Sequence, residues 1–345
     1  MEFKKIIINL IRVIRGSYIW VICVNFFSPI FFFFWRYIFN LTSMLIYQFS
    51  VYSSESNSVL NKKRFLIVKN DLMYENFAKY LMGRISKRKL KFKRQHLLRE
   101  NNEWSFSTSI TDLIDEKTKI EILKFTLSDK VLRVVLPYFG MIPHIGSISI
   151  LFNLPRPELG KAKGSQEWHR DSGQYRSLNL FMCISNVDKD SGPYSLIGCD
   201  HIPFEACIPT PQINSSKSSW SQFRISDKNI LRYVPKNAIQ VLQGKPGSLA
   251  FVDPGACYHK GGFCLTKERI MLQISFVADT QKAITPISKQ IKIKNRVLLN
   301  NIINNNPIKR KLIEGNDRHW FYRLGLTNPI YFFRRIFLSY SIQAK

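Results

Sequence analysis

Acidic side chains are scarce in this 345-residue chain: 24 Asp+Glu stand against 51 Lys+Arg, a formal net charge of +27. A surplus of that size calls for an acidic counterpart, such as phosphate-rich lipid, an anionic glycan, nucleic acid or a weakly charged cytoplasm. Cysteine is sparse too. The six thiols (Cys23, Cys183, Cys199, Cys207, Cys257, Cys264) form neither a CxxC pair nor an even framework, which argues against a zinc ribbon or a secreted disulfide scaffold and favours reduced thiols in a cytoplasmic protein. No alternation of strand and helix patterns indicates a parallel sheet. No small-residue cleavage site follows the N-terminal apolar run, so a signal peptide is disfavoured.

Apolar residues make up 45% of the chain, enough to bury a core without staples. Four regions follow from the composition. Residues 1–54 are apolar, with no charge from Gly16 to Trp35 and six Phe crowding one end. About twenty uncharged residues is the length that crosses a bilayer. Asn25, Pro29 and Arg36, with a second uncharged run from Tyr37 to Ser54, instead suit a helix in the interface or a hairpin that dips in and returns; a buried cap and a single span are the alternatives. Residues 55–140 form a basic helical region, in which Lys62, Lys63, Arg64 and the cluster from Arg84 to Arg99 would face an anionic leaflet or simply solvent. Within it, Leu113, Ile120, Leu123, Leu127, Val131 and Val134 predict one helix over Thr111–Leu136, capped by Thr111 or Asp112 and ended by Pro137 and Gly140.

From 141 to 280 the period changes to two. Strands are expected over 147–152, 176–187, 238–242, 248–252 and 268–277, with Pro-Gly turns between them and an insert or lid over 202–237. Many short strands of this kind indicate an antiparallel sandwich or barrel. Residues 281–345 form a basic, aromatic helical extension, a second candidate membrane contact or a helix packed on the barrel.

The chemistry centres on Trp168-His169-Arg170-Asp171. Side chains at i and i+2 of an extended backbone share a face, so His169 and Asp171 can point at one metal ion. Alone this pair is weak. His259 supplies a second imidazole, and two His with one carboxylate occupy one face of a six-coordinate Fe(II) and leave three positions open. Ten residues on, Arg269 shares a strand face with Met271, Gln273 and Ser275, and a guanidinium inside a barrel needs an anion, best a carboxylate held bidentately.

These residues, with Val187-Asp188, Gly192-Pro193 and His259-Lys260-Gly261, resemble the phytanoyl-CoA dioxygenase family of Fe(II)/2-oxoglutarate oxygenases over about residues 145–280. The resemblance implies a mainly β fold with flanking helices around a double-stranded β-helix, a cupin-like jelly roll. It implies Fe(II) held by His169, Asp171 and His259, with 2-oxoglutarate and O2 as co-substrates. Arg269 would bind the distal carboxylate of 2-oxoglutarate, with Gln273 beside it. Decarboxylating 2-oxoglutarate against O2 yields succinate, CO2 and an oxidant able to hydroxylate an aliphatic C–H. Because Asp171 is a carboxylate, halogenation is disfavoured. Trp168 and His201 are candidate substrate contacts. His201 lies in Gly198-Cys199-Asp200-His201, where many relatives have Gly-Ser-His, and no coenzyme A handle is recognisable.

The expected enzyme is a hydroxylase acting on a lipid, lipid-linked glycan or other small molecule at the inner, cytoplasmic face of an anionic membrane, with no protein partner inferred. A non-catalytic membrane-bound barrel is one alternative. A nucleic-acid-directed oxygenase of the AlkB type is disfavoured, because the second Arg of that pattern is Ser275 here.

Overall fold

A computed structural model describes residues 44–54, 57–86, 107–155, 164–171, 177–201, 224–278 and 285–313. Most of the expected membrane segment (1–43), most of the basic cluster (87–106), the first part of the insert (202–223) and the aromatic stretch from 314 onward lie outside the described residues.

Among the described residues, nine strands form two antiparallel sheets: β1 (Phe65–Val68), β2 (Thr108–Ser109), β3 (His144–Asn153), β4 (Ser177–Cys183), β5 (Tyr194–Ile197), β6 (Ile239–Leu242), β7 (Leu249–Val252), β8 (Tyr258–Lys260) and β9 (Arg269–Val277). The larger sheet has the order β1-β7-β4-β9-β3-β2 and the smaller β6-β5-β8. A single bridge, His169 opposite His259, adds the Trp168–His169 segment to the free edge of β8. From β3 onward the chain therefore visits the larger sheet, the smaller at His169, the larger at β4, the smaller at β5 and β6, the larger at β7, the smaller at β8 and the larger at β9. That winding is a double-stranded β-helix, the architecture expected.

The larger sheet sorts its side chains by alternation. Leu178, Leu180 and Met182 of β4 and Ile270, Leu272, Ile274 and Phe276 of β9 face outward into the main core. Helices cover that face: α1 (Leu72–Ser86) buries Tyr74, Ala78, Leu81 and Ile85, while α2 (Glu116–Thr126) and α3 (Asp129–Phe139) bury Ile120, Leu123, Val131 and Leu136 among others. Inside the barrel, Phe181, Tyr194, Leu196, Leu242, Val252, Cys257 and Met271 form a second cluster. A third packs outside the smaller sheet, where Trp168 and Tyr258 meet Ile197, Ile230, Val234 and Ala238.

The single helix expected over Thr111–Leu136 is a short 3-10 turn at Thr111–Leu113 followed by two helices. Asp115, not Asp112 or Thr111, caps the first, accepting from the Thr118 N–H at 2.9 Å. Ser128 is extended and opens the second. Both helices bury their apolar faces in one core, so the spacing reads straight through the break. Pro137 does not stop the second helix, which runs on to bury Tyr138 and Phe139 and ends at left-handed Gly140 (φ 63°). The stretch read as a basic helical region also contributes β1 and β2, the two outermost strands of the larger sheet. Among the described residues no helix is long and apolar enough to cross a membrane.

Candidate metal centre

The smaller sheet brings the two histidines together. His169 and His259 exchange both backbone hydrogen bonds, at 3.0 and 2.9 Å, so their side chains leave the same face of neighbouring strands. Their rings lie 4.3 Å apart, centroid to centroid. Asp171 follows at the same alternation, its N–H donating to the Pro254 carbonyl at 2.8 Å. The Asp171 Oδ1 lies 3.8 Å from His169 Nε2 and 3.7 Å from His259 Nε2. One ligand atom from each of the three falls within 4.8 Å of the others.

Second contacts fix which nitrogen is offered. His169 Nδ1 lies 2.8 Å from the Glu167 carbonyl and His259 Nδ1 lies 3.2 Å from the Cys257 carbonyl. A carbonyl only accepts, so each Nδ1 carries the proton and each Nε2 keeps its lone pair, the arrangement in which metal-bound imidazoles are usually held. Burial lowers the pKa of His169 to about 4, with His259 beside it adding to the shift. Burial does the same to His259, also to about 4. Both rings are thus neutral at neutral pH, the form in which an imidazole can take a metal. The Asp171 side chain keeps 54% of its surface because it faces the open cavity, yet the protein crowded round it raises its pKa, which His169 partly opposes. Two neutral Nε2 donors and one carboxylate fit a divalent first-row metal such as Fe(II).

The three groups open into a cavity of about 220 Å³ whose far wall is the inner face of the larger sheet. Asn179 and Phe181 of β4 and Arg269, Met271 and Gln273 of β9 line it, the face that the alternation of β9 predicts for Arg269 and Gln273. Arg269 is 6% exposed, and one of its N–H groups donates to the Gly192 carbonyl. Its Nε has no hydrogen-bond partner among the described residues, and no carboxylate there pairs with it. Burial lowers its pKa, but a guanidinium remains charged. A buried cation without a counter-ion is costly, and an anion bound beside it would offset that cost. The approach requires glycine: Gly192 is left-handed (φ 64°), and a Cβ on it would fall 2.5 Å from the Phe263 carbonyl carbon.

Neither Trp168 nor His201 lines the cavity. Trp168 lies one residue from His169 and so points to the opposite face, where it is 1% exposed and donates to Asp227 at 2.7 Å. Lys260 sits 5.1 Å over its ring. Trp168 packs on the outside of the smaller sheet. His201 ends a 3-10 turn at Cys199–His201, with its Nε2 3.9 Å from Asp200 and its side chain 46% exposed.

The sequence reading gave no role to Tyr194, Asn179, Asn153, Phe181 or Ser107, all of which line the cavity. Asn179 carried a signal, as a polar residue that shares the inward alternation of β4 with Ser177, Phe181 and Cys183. Tyr194 and Ser107 carried none, because their part in the site depends on pairing across the barrel.

No family model matches this sequence, and no curated protein matches it either. Solved structures similar to it include the non-heme alpha ketoglutarate dependent carbocyclase SnoK from nogalamycin biosynthesis, at 12% identity and TM-score 0.43, covering 70% of this chain and 91% of that one. The epimerase SnoN, in complex with Fe3+, alpha ketoglutarate and nogalamycin RO, is 13% identical with TM-score 0.40, covering 64% and 81%. EctD from S. alaskensis, with 2-oxoglutarate and 5-hydroxyectoine, is 11% identical with TM-score 0.41, covering 64% and 74%.

Proposed function

We propose that the chain is an Fe(II)/2-oxoglutarate-dependent oxygenase that hydroxylates an aliphatic C–H. The observation that carries this reading is one cavity with a metal-ligating set at one wall, His169, Asp171 and His259, and a buried, anion-seeking Arg269 at another. Iron with 2-oxoglutarate and O2 supplies the oxidising power that no side chain has. The protein's own part is positional. His169, Asp171 and His259 would hold the metal, Arg269 with Gln273 would take the distal carboxylate, and Phe181 and Met271 keep water from the wall between them.

The finer part of the proposal is a lipid, lipid-linked glycan or other hydrophobic substrate taken at the inner face of an anionic membrane. Its support is the uncharged run of residues 16–35, the surplus of 51 basic over 24 acidic residues, and the exposure of Phe49 (90%) and Val51 (68%) where the chain leaves that region. Fractionation without detergent tests the location, and a wholly soluble full-length protein would overturn it.

Anaerobic addition of Fe(II) and 2-oxoglutarate to the folded protein should produce the visible charge-transfer absorption of a chelated 2-oxoacid. His259→Ala should abolish it. No absorption in the wild type, or absorption that survives the substitution, would overturn the site. Succinate release screened across lipid and glycan pools would then identify the substrate. A non-catalytic barrel predicts no turnover with any pool.

A further inference from the structure

Tyr194 stands out among the groups that line the cavity. It is 5% exposed, and its hydroxyl oxygen has no hydrogen-bond partner among the described residues. Burying a hydroxyl without a partner is a net cost that Phe would avoid at the same volume. The ring is not there by default of space. It stacks on Phe181 at 4.4 Å and 28°, and on His259 at 5.7 Å and 29°, so packing fixes where the oxygen points. Strand pairing gives the same placement. Leu196 lies opposite His259, and Tyr194, two residues earlier on β5, shares that inward side.

We propose that Tyr194 is a positioning residue whose O–H donates to a carboxylate oxygen of the 2-oxoacid where that ligand meets the metal ligands. This rests on reading the cavity as a metal and 2-oxoacid site, and adds to it a second anchor at the metal end, opposite in role to Arg269 at the other wall. A neutral phenol donates one hydrogen bond at neutral pH, and a bond from a neutral donor to a carboxylate is stronger than one to a neutral acceptor. The stacked ring also cannot follow a misplaced ligand, so the bond would select one orientation of the 2-oxoacid.

The test uses the full chain loaded anaerobically with Fe(II) and titrated with 2-oxoglutarate, in wild type and Tyr194→Phe. The expected result is a dissociation constant for 2-oxoglutarate raised about tenfold or more, with Fe(II) affinity unchanged. The metal-free variant should melt at the same temperature or a few degrees higher, because an unsatisfied hydroxyl has gone. Unchanged 2-oxoglutarate affinity in the variant would overturn the proposal and leave only a buried water as the hydroxyl's partner. A wild type that binds no 2-oxoglutarate would instead overturn the functional reading itself. Should the variant fail to fold, the tyrosine ultraviolet difference spectrum of the wild type decides the matter. A red shift on adding 2-oxoglutarate supports the proposal. No shift, or one complete with Fe(II) alone, overturns it, the latter by giving the hydroxyl to Asp171.

Discussion

The two faces of strand β9 are made of alternate residues of one sequence, and they do opposite work. Outward, the side chains of Ile270, Leu272, Ile274 and Phe276 are at most 1% exposed and belong to the main apolar core, where their burial contributes to stability. Inward, Arg269 and Gln273 line a cavity, and Arg269 keeps a buried charge with no counter-ion among the described residues. A buried charge of that kind costs stability, and an anion bound beside it would offset the cost. The larger apolar cluster lies on the outer face, under the helices, and not around the cavity.

That contrast can be broken from either side. Phe276→Ala should show the largest effect, a loss of roughly 3–5 kcal/mol in denaturant unfolding, because the ring is fully buried where helices and sheet meet. Arg269→Met should do the reverse. Stability should hold or rise, since a buried unpaired cation is replaced by an apolar side chain, while 2-oxoglutarate binding followed by the visible absorption weakens by about a hundredfold or more. A coupled loss of both stability and binding in Arg269→Met would mean that the inner face is core and not site.

The smallest effect falls outside both faces. Asp115 caps α2 and pairs with Arg84 at 2.7 Å. Burial pushes its pKa up, but the Thr118 N–H, Arg84 and the Thr118 hydroxyl together hold it down at about 2. A folded-state pKa below the unfolded one contributes stability above the unfolded value, near 4, and that contribution fades as pH falls toward 2. Asp115→Ala should therefore cost about 1 kcal/mol at pH 7 and progressively less below pH 4, as melting curves across that range would show. 2-Oxoglutarate affinity at neutral pH should not change.

Legibility followed the range of the interactions. The alternation of β4 and β9 was readable because period two is a property of single strands, and with it came the inward placement of Arg269 and Gln273. His169 and Asp171 were readable as a local pair. The break at Ser128 was not, since both helices present apolar residues to one core and nothing in the spacing marks the interruption. Nor was β8, only three residues long, whose extended form depends on β5 on one side and His169 on the other. Trp168 drew notice as a neighbour of the ligands, but the same alternation that turns His169 inward turns Trp168 out.

By itself the sequence determined the barrel's alternating strands, the three candidate ligands and the basic residue that needs an anion, because these depend on residue type and short spacing. Only the tertiary structure decided that His169 and His259 stand side by side, which nitrogens they offer, and that Tyr194 joins them. Those facts require strands far apart in the chain to pair in one register. Register is fixed by burying the outer face of the larger sheet under its helices, an event that no local stretch contains.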